Sequence, residues 1–175
     1  MTPTERSGSE RPEMDVVVIA DSHLTGGLDT LGAQVLDALA SADVVLHAGD
    51  VTSARALKEL QTVTTTYAVL GNNDRALVGA LPETLVIDLD GVSVAIVHDS
   101  GPRQGRTRRL HHRFPGANLV VFGHSHIPIN EFGDQGQLLF NPGSPTQRRT
   151  QPYRTFGRLR IARGEILGHD IEIVS

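Results

Sequence analysis

The chain contains no cysteine, which removes disulfides, thiolate catalysis and Cys-type zinc sites. Any metal must therefore be held by His, Asp, Glu, Asn or backbone oxygen. Lysine is almost absent: Lys58 is the only one, so arginine carries nearly all of the positive charge. No apolar run approaches the length of a membrane span, and the opening MTPTERSGSERP lacks the apolar core of a signal peptide. There is no basic excess either. A formal net charge of −4 gives no general reason to bind nucleic acid or anionic lipid. What remains is 175 residues, 39% hydrophobic and 21% charged, an ordinary globular composition large enough for one core. The expectation is a cytoplasmic protein with a disordered tail over residues 1–13 and a single domain over 14–175, its oligomeric state open and a homo-oligomer possible.

The body begins with MDVVVIA (14–20), a β-branched run that reads as a strand buried on both faces. LDTLGAQVLDALASA (28–42) places Leu28, Leu31, Val35 and Leu39 near helical spacing and predicts one amphipathic helix. DVVLHAG (43–49), SARALKEL (53–60) and TTTYAVL (64–70) predict a strand, a helix and a third strand. This β-α-β-α-β order implies parallel strands with helical crossovers, and ligands in such sheets collect beyond the carboxyl ends of the strands. The second half changes style. TLVIDLDGVSVAIVHDS predicts a hairpin around Asp90-Gly91, and residues 103–113 a basic helix. LVVFG (119–123) predicts a strand, INEF and QLLF a pair around GDQG, and TFGRLRIARGEILGHDIEIV a closing hairpin. The hairpins are expected to form a second sheet packed on the first, with helices outside: an α/β fold built as a two-sheet sandwich flanked by helices.

Polar residues stand where the apolar runs stop: Asp21 and His23, Asp50, Asn72, His98, and His124 and His126. In an extended chain, residues i and i+2 face one side, roughly 6.6 Å apart, so each D-x-H or H-x-H pair can address one point. Two carboxylates, four imidazoles and an amide oxygen suit Mn²⁺ foremost, then Fe, Co²⁺, Ni²⁺ or Zn²⁺, better than Ca²⁺ or Mg²⁺. Seven donors exceed one tetrahedral ion but suit two ions sharing a carboxylate. Two divalent ions would bring about +4 against −2 from Asp21 and Asp50, leaving an attraction for an anionic ester even with a bridging hydroxide.

D-x-H (Asp21, His23), G-D (Gly49, Asp50), G-N-x-D (Gly71 to Asp74), His98 at a strand end and G-H-x-H (Gly123 to His126) resemble, in that order, the calcineurin-like metallophosphoesterases. Asn141-Pro142-Gly143-Ser144 is similar to their small bacterial and archaeal phosphodiesterase branch. The resemblance runs from about residue 14 to the C-terminus. It implies a four-layer αββα sandwich and a metal-dependent hydrolase of phosphate diesters acting through a hydroxide that bridges two divalent ions. One ion would take Asp21, His23, Asp50 and His126; the other would take Asp50, Asn72, His98 and His124, with Asp50 shared and catalytic. Two positions depart from the pattern. Many relatives place a histidine where this chain has Asn73; an amide can orient an ester by hydrogen bonding but delivers no proton. Relatives commonly have glycine after the His98 position, where this chain has Asp99-Ser100. The implied partner is a small-molecule or nucleotide-type phosphodiester, with no membrane and no stable nucleic-acid complex. The rival reading is a non-catalytic protein-interaction scaffold on the same fold, similar to the retromer subunit.

Competing roles can be assigned to several of these residues. Asp21 or Asp50 could cap the helix that follows, and Asn72 or Asn73 could serve a left-handed turn. His47 reads as a core or supporting histidine and His169 as structural. Arg106, Arg109 and Arg113 share a helical face, which is either solvated or overhangs the site to hold anionic substrate.

Overall fold

The computed structural model describes residues 12–175, so the expected tail falls outside the described residues except for Pro12 and Glu13. The first sheet contains β1 (Met14–Ile19), β2 (Val44–His47), β3 (Thr65–Ala68), β9 (Thr155–Ala162) and β10 (Glu165–Ile173), in the order β10-β9-β1-β2-β3. The second contains β4 (Thr84–Leu89), β5 (Val92–Val97), β6 (Leu119–Val121), β7 (Ile129–Phe132) and β8 (Leu138–Asn141), in the order β4-β5-β6-β8-β7. Strands β1, β2 and β3 run parallel, as do β5, β6 and β8.

Alternation along each buried strand builds three apolar layers. Val16, Val18 and Leu46 meet Val94, Ile96, Leu119, Val121 and Phe140 between the sheets. Val17, Ile19 and Val45 face the other way, onto α1 (Ala33–Ser41) and α2 (Ala54–Val63) through Val35, Leu39, Leu57 and Leu60. On the outer face of the second sheet, Ala95, Val97, Val120 and Leu139 cover Leu110 of α3 (Arg106–Arg113). This is the four-layer sandwich expected from the sequence.

Two expectations need correction. The predicted helix over 28–42 is a single 3₁₀ turn at Leu28–Thr30 followed by α1, because Leu31 and Gly32 are extended and Gly32 forms the cap. The bend buries both Leu28 and Leu31. The closing hairpin β9–β10 does not join the second sheet: β9 pairs antiparallel with β1, from Met14 opposite Ile161 to Val18 opposite Gly157. Gly157 permits this, since a Cβ there would strike the Phe140 ring packed between the sheets.

Candidate metal centre

The carboxyl ends of the parallel strands in both sheets open at one edge, and backbone bonds lock their loops together. Asp21 N–H donates to Gly49 O and His23 N–H to Asp50 O, both at 2.9 Å, while Gly123 N–H donates to His98 O at 2.9 Å. Glycines allow the approach: a Cβ on Gly71 would overlap the Asp50 backbone, and one on Gly123 would lie 2.8 Å from Asp21 Oδ2.

All seven candidate donors converge at this edge, though not by the extended i, i+2 geometry. Asp21, His23, Asp50, His124 and His126 have φ of 52°, 44°, 58°, 69° and 58°. Each is left-handed, a conformation that costs a non-glycine residue about 1 kcal/mol or more. Turns, not pleats, aim these side chains.

Asp21 Oδ1 lies 3.4 Å from His126 Nε2 and 4.0 Å from His23 Nε2, and those two nitrogens are 3.3 Å apart. Asp50 Oδ2 lies 3.6 Å from both His23 Nε2 and His98 Nε2, between the two halves of the cluster. Asn72 Oδ1 is 3.0 Å from His98 Nε2 and 3.0 Å from His124 Nδ1. One donor atom each from Asp21, His23 and His126 lies within 4.8 Å of the others, and the same holds for Asp21, Asp50 and His98.

The surroundings leave these atoms available. His98 Nδ1 is 2.7 Å from Ala48 O, and His126 Nδ1 is 2.7 Å from Gln147 O. A carbonyl only accepts, so each Nδ1 carries the proton and each Nε2 turns a lone pair inward, the arrangement that orients metal-binding histidines. Both oxygens of fully buried Asp21 lack a hydrogen-bond partner among the described residues. Burial, reinforced by the charge of Asp50, pushes its carboxyl up to about 7. Burial also opposes the charge of Asp50, but two hydrogen bonds from Asn73 and the nearby His98 and His23 rings hold its carboxyl below the usual range. Burial lowers His23 and His126, favouring the neutral imidazole. Orphaned carboxylate oxygens beside neutral imidazoles are what a divalent cation requires, so the donor set fits the expected ions.

The competing roles separate cleanly. Asp50 is not the cap of α2; Ser53 Oγ accepts from Ala56 N–H at 3.2 Å. Nor does Asp21 cap a helix, since Gly27 and Gly32 precede the 3₁₀ turn and α1. His47 is buried with Nε2 2.8 Å from Ser22 Oγ, and His169 on β10 bonds Asn130 on β7 of the other sheet. The arginine face divides: Arg109 donates to Ser100 O and Pro102 O, Arg106 lies over Phe122, and Arg113 lies over Phe114. Of the three, Arg113 reaches a cleft of about 320 Å³ beside Asn72 and His98, which Glu83 and Asp99 also line. A second cleft, about 260 Å³, adjoins His23 and is lined by Thr25, Thr30, Thr146 and Arg154.

Asn73 has its amide on Asp50, donating from Nδ2 to Oδ2 at 2.7 Å and from the backbone to Oδ1 at 2.8 Å. Asp74, to which the sequence reading gave no role, accepts backbone N–H groups from Gly71, Asp50 and Thr52. Its place in G-N-x-D was the available signal. The Asn-Pro-Gly-Ser segment also braces the site: Asn141 Nδ2 donates to Gly123 O at 3.0 Å and Ser144 Oγ to Asp21 O at 2.7 Å.

Residues 14–164 match the family model of the calcineurin-like phosphoesterase superfamily domain. A protein of Methanothermobacter thermautotrophicus named "Probable metallophosphoesterase" is 34% identical over 143 residues, covering 79% of this chain and 82% of that one. Among solved structures, a predicted phosphoesterase from Streptococcus pneumoniae superposes with a TM-score of 0.73 at 23% identity, covering 93% of this chain and 91% of that one. Vacuolar Protein Sorting 29 from Cryptosporidium parvum superposes with a TM-score of 0.74 at 20% identity, covering 93% and 98%. The sandwich, the donors at its strand ends and the family match agree: this chain belongs to the calcineurin-like phosphoesterase superfamily.

Proposed function

We propose that the chain is a phosphodiesterase working with two divalent ions, manganese foremost, on a small-molecule or nucleotide-type diester in the cytoplasm. The observation that carries the reading is Asp50 Oδ2 standing 3.6 Å from both His23 and His98, between two groups of donors. Asp21, His23, Asp50 and His126 would hold one ion, and Asp50, Asn72, His98 and His124 the other. Bound there, the ions supply Lewis-acid charge and a hydroxide nucleophile at neutral pH. The chain's own part is to keep imidazoles neutral, hold the Asp50 carboxylate ionised through Asn73, and present the open edge to the ester. The diester assignment draws support from the two clefts, one beside His23 and one beside Asn72 and His98, which give each ester substituent a place. With the ions bound and themselves holding the Asp50 carboxylate ionised, the Asn73 amide would be released to orient the ester.

Stripping metal with a chelator should abolish hydrolysis of bis(p-nitrophenyl) phosphate, and Mn²⁺ should restore it. Turnover indifferent to exhaustive chelation would overturn the proposal. The scaffold reading keeps one specific support, the fold likeness to Vacuolar Protein Sorting 29, alongside Asn73 in place of histidine. Asp50→Asn distinguishes the two: it should eliminate turnover in an enzyme, whereas a scaffold has no turnover to lose.

A further inference from the structure

Several arginines among the described residues have visible occupations. Arg55 pairs with Glu59, Arg158 with Asp15 and Glu172, Arg160 with Glu13, and Arg109 ties down carbonyls of the 100–104 loop. Arg149 differs. Its Nη1 donates one long bond, 3.3 Å, to His124 O, and among the described residues no carboxylate lies within 4.0 Å of it. Its backbone is left-handed, φ 49°, and its side chain is exposed. It stands two residues beyond Gln147, whose carbonyl fixes the ring of His126, so the chain that orients a candidate ligand also delivers this guanidinium to the rim. Its charge acts on Asp21, His23 and His126 together.

A fixed cation beside a site for two divalent cations is repulsive unless an anion lies between them. The position where relatives place a histidine is Asn73, which brings no charge. We infer that Arg149 is a substrate-binding residue, its guanidinium taking a non-bridging oxygen of the phosphoryl group held at the His23–His126 side of the centre. A planar guanidinium suits two such oxygens at once, which an ammonium cannot match. In the Arg-rich 103–113 segment, the more conspicuous candidate in the sequence, Arg109 and Arg106 are committed elsewhere, and Arg113 lines the cleft on the Asn72–His98 side, not the His23–His126 side.

The inference rests on the phosphoesterase reading and deepens it. The experiment compares Mn²⁺-loaded wild type, Arg149→Ala and Arg149→Lys in two measurements: steady-state hydrolysis of bis(p-nitrophenyl) phosphate, and calorimetric binding of inorganic phosphate, which needs no turnover. Bound manganese is quantified for each. Arg149→Ala should raise KM and weaken phosphate binding by about tenfold or more, with kcat less affected and manganese content unchanged; Arg149→Lys should recover part of the loss. KM and phosphate affinity within about twofold of wild type would overturn the inference, as would manganese loss that accounts for the defect. Should wild type hydrolyse no ester, the enzymatic reading fails, and phosphate affinity still decides whether Arg149 holds the anion.

Discussion

Asp74 Oδ2 accepts the backbone N–H of Asp50 at 2.9 Å, so a buried carboxylate outside the donor set holds the residue that stands at its middle. The same oxygen accepts from Gly71 N–H at 2.8 Å, and Oδ1 accepts from Thr52 N–H at 2.6 Å. Two strand-end loops are thereby bound to one side chain. Asp74→Asn replaces one acceptor with an NH₂ group facing backbone donors. The expected cost is roughly 2–3 kcal/mol in urea denaturation of the metal-free protein, with Mn²⁺ affinity reduced about tenfold or more because Asp50 loses its support. Unchanged Mn²⁺ affinity would show that the brace does not position Asp50.

The sequence made the sheets and the donors readable and left their joining obscure. Runs such as Val16–Ile19 and Val44–His47 are buried on both faces, so composition alone marks them as central strands. Asp90-Gly91 turns with φ of 48° and 89°, as such a pair prefers. Each donor follows an apolar run, which is why all could be found one strand end at a time. The partner of the closing hairpin was different, because the choice of β1 depends on Gly157 lying against Phe140, a contact between distant segments. The left-handed turns at Asp21, His23, Asp50, His124 and His126 likewise have no local signal; the loops that cross them impose the conformation. Asp74 braces the backbone of Asp50 and Thr52, far from it in sequence, which its residue type alone does not announce.

Asp21 carries two buried oxygens without hydrogen-bond partners, and Asp50 adds to the cost of its charge. A cation binding there relieves both, so metal should stabilise the fold and not only activate it. At a free Mn²⁺ concentration about a hundred times its dissociation constant, the gain is about 2.7 kcal/mol. For a chain of this size that corresponds to a rise in Tm on the order of 5–10 °C. Differential scanning fluorimetry with and without chelator measures it. Asp21→Asn should remove most of the metal-dependent rise; a full rise in that variant would place the ion elsewhere.

Asn73 spends its amide on the Asp50 carboxylate and has no proton to give a departing alkoxide. Aryl leaving groups depart as stable phenolates, whereas alkyl ones need protonation. Wild type should therefore hydrolyse aryl diesters far faster than alkyl diesters. Asn73→His should narrow the ratio of the two kcat/KM values by about tenfold or more, in the direction of faster alkyl turnover. An aryl-to-alkyl ratio that does not move on introducing histidine would show that position 73 takes no part in leaving-group departure.

His47 gives the fold an acid sensitivity that is separable from metal binding. The ring is 1% exposed, with Nε2 on Ser22 Oγ and Nδ1 without a partner among the described residues. Burial, aided by the nearby His98 ring, pushes its pKa down from 6.5 to about 3. The unfolded chain therefore binds a proton at this ring below pH 6.5 while the folded chain stays neutral. Stability from this source is intact above 6.5 and is lost as pH falls, by about 1.4 kcal/mol per pH unit, until the folded ring titrates near 3. Urea denaturation of chelated wild type and His47→Gln at pH 7.5, 6.0 and 5.0 isolates the effect. Other acid-sensitive groups, Asp21 and the remaining histidines included, contribute to both proteins and largely cancel in the difference. The variant starts from a lower stability, since glutamine fills the ring's place imperfectly, but its slope below pH 6.5 should be shallower by about one proton. Parallel slopes would mean that His47 can accept a proton inside the fold, which its enclosure between the strands forbids.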